Sequence, residues 1–210
     1  TPEYKIVLVG EGGVGKTTFM TRHVTGEYTE LYDPTMGASV RKLPFFTTKG
    51  PILFNCWDTA GQESYTGLRD GYYVKAAGAF IMFDVTSRKT YSKVPKWHRE
   101  LKRVAHGIPM ILIGNKADKD SASRVVQAKQ VTFHRRVGIP YVEISAKAKM
   151  NMEQPFLKLI RFLAKDDTVE ITEAPAQRPA EIAMTEAQKA AIAANLAAAE
   201  AAPLPDTDEF

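Results

Sequence analysis

Short apolar runs alternate with helix-like stretches along most of this chain, and that alternation constrains its fold more than any other feature. Residues 5–9, 52–57, 79–83, 110–113 and 141–144 read as buried strands, and residues 40–47 as one more. Helical candidates lie at residues 16–24, 70–75, 91–104, 127–136 and 152–164. Strand–helix alternation predicts an α/β fold with a mostly parallel sheet and helices on both faces. Thr48, Lys49, Gly50 and Pro51 predict a turn, so strands 40–47 and 52–57 pair antiparallel. The expectation is a six-stranded sheet. Ligands of such sheets sit at the carboxyl ends of the strands.

Four segments follow apolar runs directly. The first is Gly10-Glu11-Gly12-Gly13-Val14-Gly15-Lys16-Thr17, which fits GxxxxGK[ST] between a strand and a helix. Its glycines let successive backbone N–H groups turn inward around phosphate oxygens, and the helix N-terminus adds its positive dipole end. Lys16 supplies a point charge to the outer phosphates, and Thr17 offers a hydroxyl to Mg²⁺. Alone, this motif implies only a nucleoside triphosphate.

The second segment is Trp57-Asp58-Thr59-Ala60-Gly61-Gln62-Glu63. A carboxylate at Asp58 can hold a metal through water, although an Asp ending a strand is more often a cap or turn former. Gly61 can bring a backbone amide to a γ-phosphate, and Gln62 can orient an attacking water. The third is Asn115-Lys116-Ala117-Asp118. Guanine presents N1–H and an exocyclic amine side by side, and the Asp118 carboxylate can accept from both; adenine lacks that pair. The fourth, Ser145-Ala146-Lys147, can turn a backbone amide toward the guanine O6. Each signal is weak alone, but all four in this order, each at a strand end, are very specific.

Together these segments resemble the Ras superfamily of small GTPases over about residues 4–165. The resemblance implies a Ras-like P-loop G domain and an Mg²⁺-dependent GTP hydrolase that binds GTP or GDP. By the same resemblance, Gly12, Gly13, Val14, Gly15, Lys16, Thr17 and Thr18 line the phosphates. Tyr28 packs at the guanine edge, and Asn115, Lys116, Asp118, Ser145, Ala146 and Lys147 hold the base. Thr35 and Gly61 reach the γ-phosphate, while Thr17, Thr35 and Asp58 hold Mg²⁺. Tyr32-Asp33-Pro34-Thr35 is the first switch, and residues 61–70 are the second. Catalysis falls to Gln62 and Lys16, with Tyr32 helping to order Gln62.

Within the superfamily the resemblance is closest to the Ran branch of nuclear transport GTPases. It rests on residues 67–73, 83–88, 95–99 and 133–136 and on the chain end at 202–210. Ser64 and Tyr65 depart from the Lys-Phe usual there, and Thr207 interrupts the acidic end. The branch implies importin- and exportin-type transport receptors, Ran-binding-domain proteins, a GTPase-activating protein and an exchange factor as partners. It also implies a nuclear and cytoplasmic location, with no nucleic acid bound directly. A membrane-traffic GTPase of the Rab or Ras type is the rival reading. Those normally end in a prenylated cysteine, whereas the single cysteine here is Cys56, in a predicted buried strand. A non-hydrolysing scaffold is a second rival, opposed by the presence of Lys16, Thr35 and Gln62.

Composition adds an asymmetry. Among 210 residues the net charge is +4, yet residues 166–210 carry ten acidic and two basic residues, a net of −8, which leaves +12 on residues 1–165. A basic body can attract its own acidic tail. The division expected is a GTP-binding domain over 1–165 and, over 166–210, a linker, an Ala-rich helix and an acidic end. Thr185 with Gln188 predicts a capping box, and Ile192 with Leu196 share one helix face. His134, Arg135 and Arg136 form a basic cluster, read either as a docking patch for acidic partners, the tail included, or as a solvated helix face. Trp97 reads as core packing and Cys56 as inert. One cysteine permits no intrachain disulfide, so a reducing, intracellular compartment is expected. No run approaches the ~18–20 apolar residues of a membrane span.

Overall fold

The computed structural model describes residues 1–23, 30–33, 38–59, 66–173 and 179–205. Strands and helices alternate as β1 (Glu3–Val9), α1 (Lys16–Arg22), β2 (Glu30–Asp33), β3 (Ala38–Thr47), β4 (Gly50–Asp58), α2 (Thr66–Tyr73), β5 (Gly78–Asp84), α3 (Arg88–Ser92) and α4 (Val94–Val104). Then come β6 (Met110–Asn115), a 3₁₀ turn (Ala128–Gln130), α5 (Phe133–Val137), β7 (Tyr141–Glu143), α6 (Gln154–Ala164), β8 (Ile171–Glu173) and α7 (Glu186–Ala201).

The strands form one sheet in the order β2-β3-β4-β1-β5-β6-β7, with β8 also paired to β3. From β4 to β7 every pairing is parallel, while β2–β3 and β3–β4 are antiparallel. The mostly parallel α/β sheet is thus the one predicted, but among the described residues it has eight strands rather than six. The two extra strands, β2 and β8, are four and three residues long and mix apolar with charged residues, so no apolar run announces them. β8 also shows that the stretch expected as a linker contributes to the sheet, alongside Phe46 and Thr47 of β3.

Strand periodicity divides the core in two. On one face Ile6, Leu8, Phe80, Met82, Ile111 and Ile113 pack against Phe19 of α1 and Phe156 of α6. On the other face Val7, Val9, Ile81, Phe83 and Leu112 pack against Tyr72 of α2, Trp97 and Leu101 of α4 and Phe133 of α5. Phe156 sits at the hub of the first layer, its ring centroid 4.8 Å from Phe45, 5.1 Å from Phe80 and 5.6 Å from Phe19.

Several boundaries moved for local reasons. The predicted helix at 91–104 is two helices, because Pro95 suits a first turn and not an interior. Gly138, with φ of 72°, ends α5 where a left-handed residue is needed. The turn after β3 is tighter than expected, since Thr47 already pairs with Gly50. The Thr47 hydroxyl stitches that turn, donating to the Gly50 carbonyl at 2.8 Å and accepting the Lys49 N–H at 3.1 Å.

Candidate nucleotide site

The loop between β1 and α1 depends on two glycines. Gly10 has φ of 149°, and a Cβ there would lie 2.2 Å from the Met82 carbonyl oxygen. Gly15 has φ of 100°, and its Cβ would lie 2.3 Å from the Asn115 amide nitrogen. A side chain at either would push apart β5 or β6 and the loop. Lys16, only 3% exposed, folds back and donates to the carbonyls of Gly10 at 2.7 Å and Glu11 at 2.9 Å. Its ammonium is thus held by the carbonyls of the first two residues of the loop. Gly12, Gly13 and Thr18 are exposed, whereas Val14 is buried.

Beside the loop, Thr17 donates its hydroxyl to a carboxylate oxygen of Asp58 at 2.7 Å. Asp58 ends β4, hydrogen-bonded to Thr17 across the start of α1, and is 5% exposed. This pair of hard oxygen donors fits Mg²⁺, which prefers carboxylate, hydroxyl and phosphate oxygens. Next to it the Thr59 hydroxyl donates to the Leu8 carbonyl at 2.8 Å, tying the end of β4 to β1.

The loops after β6 and β7 close over the first loop from the other side. The Asn115 side chain joins all three: its amide donates to the Val14 carbonyl at 2.9 Å, and its oxygen accepts the N–H groups of Lys116 at 2.8 Å and Ala146 at 3.2 Å. Lys116, in left-handed backbone with φ of 66°, reaches back to the Gly13 carbonyl at 2.9 Å and to the Asp84 carboxylate at 2.6 Å. The Ser145 hydroxyl donates to Asp118 at 2.6 Å and accepts the Ala148 N–H at 2.9 Å. The three predicted loops thus meet at the carboxyl ends of β1, β6 and β7. Of the remaining expected residues, Tyr28, Thr35, Gly61 and Gln62 lie outside the described residues. Tyr32 lies in β2, paired with Ser39.

The C-terminal segment borders the same loops. α7 opens with the predicted capping box, Thr185 accepting the Gln188 N–H at 3.2 Å. Met184, Gln188 and Ile192 line one side of a cleft whose other side is Ala117, Asp118, Lys119 and Asp120. Upstream, the Glu181 N–H donates to the Lys147 carbonyl at 2.8 Å, and Arg22 donates to the Pro179 carbonyl at 2.6 Å while pairing with Glu181. The basic cluster divides. His134 is 5% exposed and lies against Tyr141, so it belongs to no surface patch. Arg135 and Arg136 instead donate to the carbonyls of Ala199 and Pro205, at 3.2 and 3.0 Å. Among the described residues their tail contacts are therefore main-chain carbonyls.

Residues 5–165 match the model of the Ras family. The chain belongs to the Ras family. As a Ras-family protein it is a small GTPase, a switch built on a G domain, and the sheet described above is the Ras-like arrangement. Two supports of this Ras-family site escaped the motif reading. Asp84 holds Lys116 with one oxygen and, with the other, accepts from the Thr86 N–H at 2.8 Å and its hydroxyl at 2.7 Å. Like Asp58 it ends an apolar strand, and that position was the available signal. The second support, Trp97 against Glu11, joins residues too distant in sequence for any local pattern.

Proposed function

We propose that this Ras-family chain binds GTP and GDP at the three-loop site, hydrolyses GTP slowly, and directs nucleocytoplasmic transport as a Ran-type switch. The observation that carries the nucleotide reading is Asn115, whose one amide group ties the phosphate loop to both loops of the base end. In this reading the backbone of Gly12 to Thr18 cradles the phosphates and Lys16 faces the outer ones. Asp118 accepts from the guanine edge while Ser145 fixes its orientation, and the Ala146 and Lys147 backbone serves O6. Lys116, held on Gly13 and Asp84, lays its stem over the base. Thr17, Asp58 and Thr35 would hold Mg²⁺, which when bound neutralises phosphate charge. Gln62, ordered by Tyr32, orients the attacking water. Tyr28 closes the guanine edge, and Gly61 serves the γ-phosphate.

The transport reading is supported by the Ran-like stretches and by the tail. α7 docks on the 3₁₀ turn Ala128–Gln130 and borders the base loops, so its position and the bound nucleotide can influence each other. The partners are then transport receptors of the importin and exportin type, Ran-binding-domain proteins, an activating protein and an exchange factor, met in nucleus and cytoplasm. The test is a pull-down from cell extract with the chain loaded with a non-hydrolysable GTP analogue or with GDP. Capture of transport receptors by the GTP form alone is expected. Capture of membrane-traffic effectors instead would overturn the transport reading and leave the GTPase reading intact.

A further inference from the structure

Trp97 carries more than its packing requires. It is 2% exposed, one turn into α4, and its ring completes the second core layer. Phenylalanine could fill most of that volume. Only tryptophan adds an N–H, and a buried indole N–H needs an acceptor. Here the acceptor is the Glu11 carboxylate, 3.2 Å away and 86 residues upstream. Glu11 is the second residue of the phosphate loop, and its main-chain carbonyl accepts from Lys16 at 2.9 Å. One residue thus holds the indole with its side chain and the lysine ammonium with its backbone.

The ring also meets the second switch region. The Arg69 guanidinium carbon lies 5.0 Å from the Trp97 ring centre, within range of a cation–π contact. Arg69 comes from α2, is 3% exposed, and donates to Glu100 at 3.0 and 3.4 Å. Trp97 and Glu100 stand three residues apart on α4, so they share one face. The order in space is phosphate loop, indole, guanidinium, with α4 as the fixed body behind them.

We infer that Trp97 is a positioning residue for GTP binding: through Glu11 it fixes the phosphate-loop carbonyl that seats Lys16, and through Arg69 it ties that loop to α2. The inference rests on the GTPase reading. Releasing Glu11 lets its carbonyl drift and unseats the ammonium. Because a lysine here serves the outer phosphates, GTP loses more than GDP. Pure core packing predicts a different outcome, lower thermal stability with no change in the GTP-to-GDP preference.

The test follows release of fluorescent GTP and GDP analogues, with Mg²⁺, from the full chain and from Trp97→Phe, Glu11→Leu, Glu11→Gln and the Trp97→Phe/Glu11→Leu double variant. Thermal melting checks that each is folded. Trp97→Phe and Glu11→Leu should each release GTP about tenfold faster, the scale of one hydrogen bond to a charged group, with a smaller effect on GDP. The double variant should be no faster than either single one, since both break one contact. Glu11→Gln, which keeps an oxygen acceptor, should stay closer to the parent than Glu11→Leu does. Parental release from folded Trp97→Phe, or additive effects in the double variant, would overturn the inference. Should Trp97→Phe fail to fold, partly exposed Glu11→Leu decides alone, and parental GTP release there is equally fatal. A parent that bound no GTP would overturn the GTPase reading itself. A parent that binds GTP beside unaffected variants overturns only the role of Trp97.

Discussion

Ser145 donates its hydroxyl to the Asp118 carboxylate at 2.6 Å, so the two base-end loops are joined through the group expected to read guanine. Asp118→Asn replaces one acceptor with a donor. It should weaken GTP binding on the order of 100-fold or more, because the paired guanine donors then face an N–H. Xanthine carries a carbonyl at that edge and should be favoured instead. Competition between GTP and XTP for the variant measures the shift, and undiminished GTP affinity would displace the base from this site.

Arg124 and Glu143 form a buried pair beneath α7. Glu143 is 1% exposed, held by two guanidinium nitrogens and by the Tyr141 hydroxyl at 2.9 Å. Arg124→Leu would strand that carboxylate without its counter-charge, at a cost of about 3–5 kcal/mol. Chemical denaturation should read that loss, with Tyr141→Phe costing less, about 1.5–3 kcal/mol for one hydrogen bond to a charged group.

His23 predicts an acid limb in the stability curve. Its ring is fully buried, 5.2 Å from Phe19 and 4.9 Å from Phe156, and burial lowers its pKa from 6.5 to about 3. The folded state therefore favours neutral His23. Stability from this group is complete above pH 6.5 and falls as pH drops from there toward 3, where the unfolded chain alone binds the proton. The slope is about 1.4 kcal/mol per pH unit for one such group. His23→Phe should flatten the curve between pH 6 and pH 4, and unchanged steepness would contradict the burial argument.

The tail contacts predict linked nucleotide preference. A chain ended after Glu173 keeps β8 and loses Glu181, α7 and their contacts with Lys147 and the Asp118 loop. The Ran resemblance implies that the tail packs on the body with GDP bound, so truncation should raise GTP affinity relative to GDP by about tenfold. Hydrogen exchange over α7, compared between GDP and a GTP analogue, gives the independent check. Equal exchange in both states would separate the tail from the switch.

Cys56 is buried on β4, and desolvation pushes its thiol well above the ordinary range. A thiol-reactive probe at neutral pH should label it only as the chain unfolds.

Much of this was legible in the sequence because strand ends and chemistry coincide. Lys16, Asp58, Asn115 and Ser145 each follow an apolar run, and the runs locate the sheet's carboxyl edge. The capping box at Thr185 was equally local. What escaped is set by long-range packing. β2 and β8 form because β3 offers an edge, a property of the assembled sheet that runs of four and three residues with no apolar pattern do not encode. His134 looked like a surface cation beside Arg135 and Arg136. Its position on a five-residue helix instead turns it inward against Tyr141.

The pairing of β8 with β3 gives the molecule a defined order of yielding under force. Pulled from its C-terminal end, the chain would first free Pro205 and Ala199 from Arg136 and Arg135 of α5, and then peel the mostly alanine face of α7 away from the 3₁₀ turn. The load would then pass to Arg22 and Glu181, and next to β8, whose short register with Phe46 and Thr47 lies at the edge of β3. Only after those ties parted would tension reach α6 and Phe156 at the centre of the core. A translocating motor that grips the tail would meet graded resistance, strongest where the aromatic cluster begins.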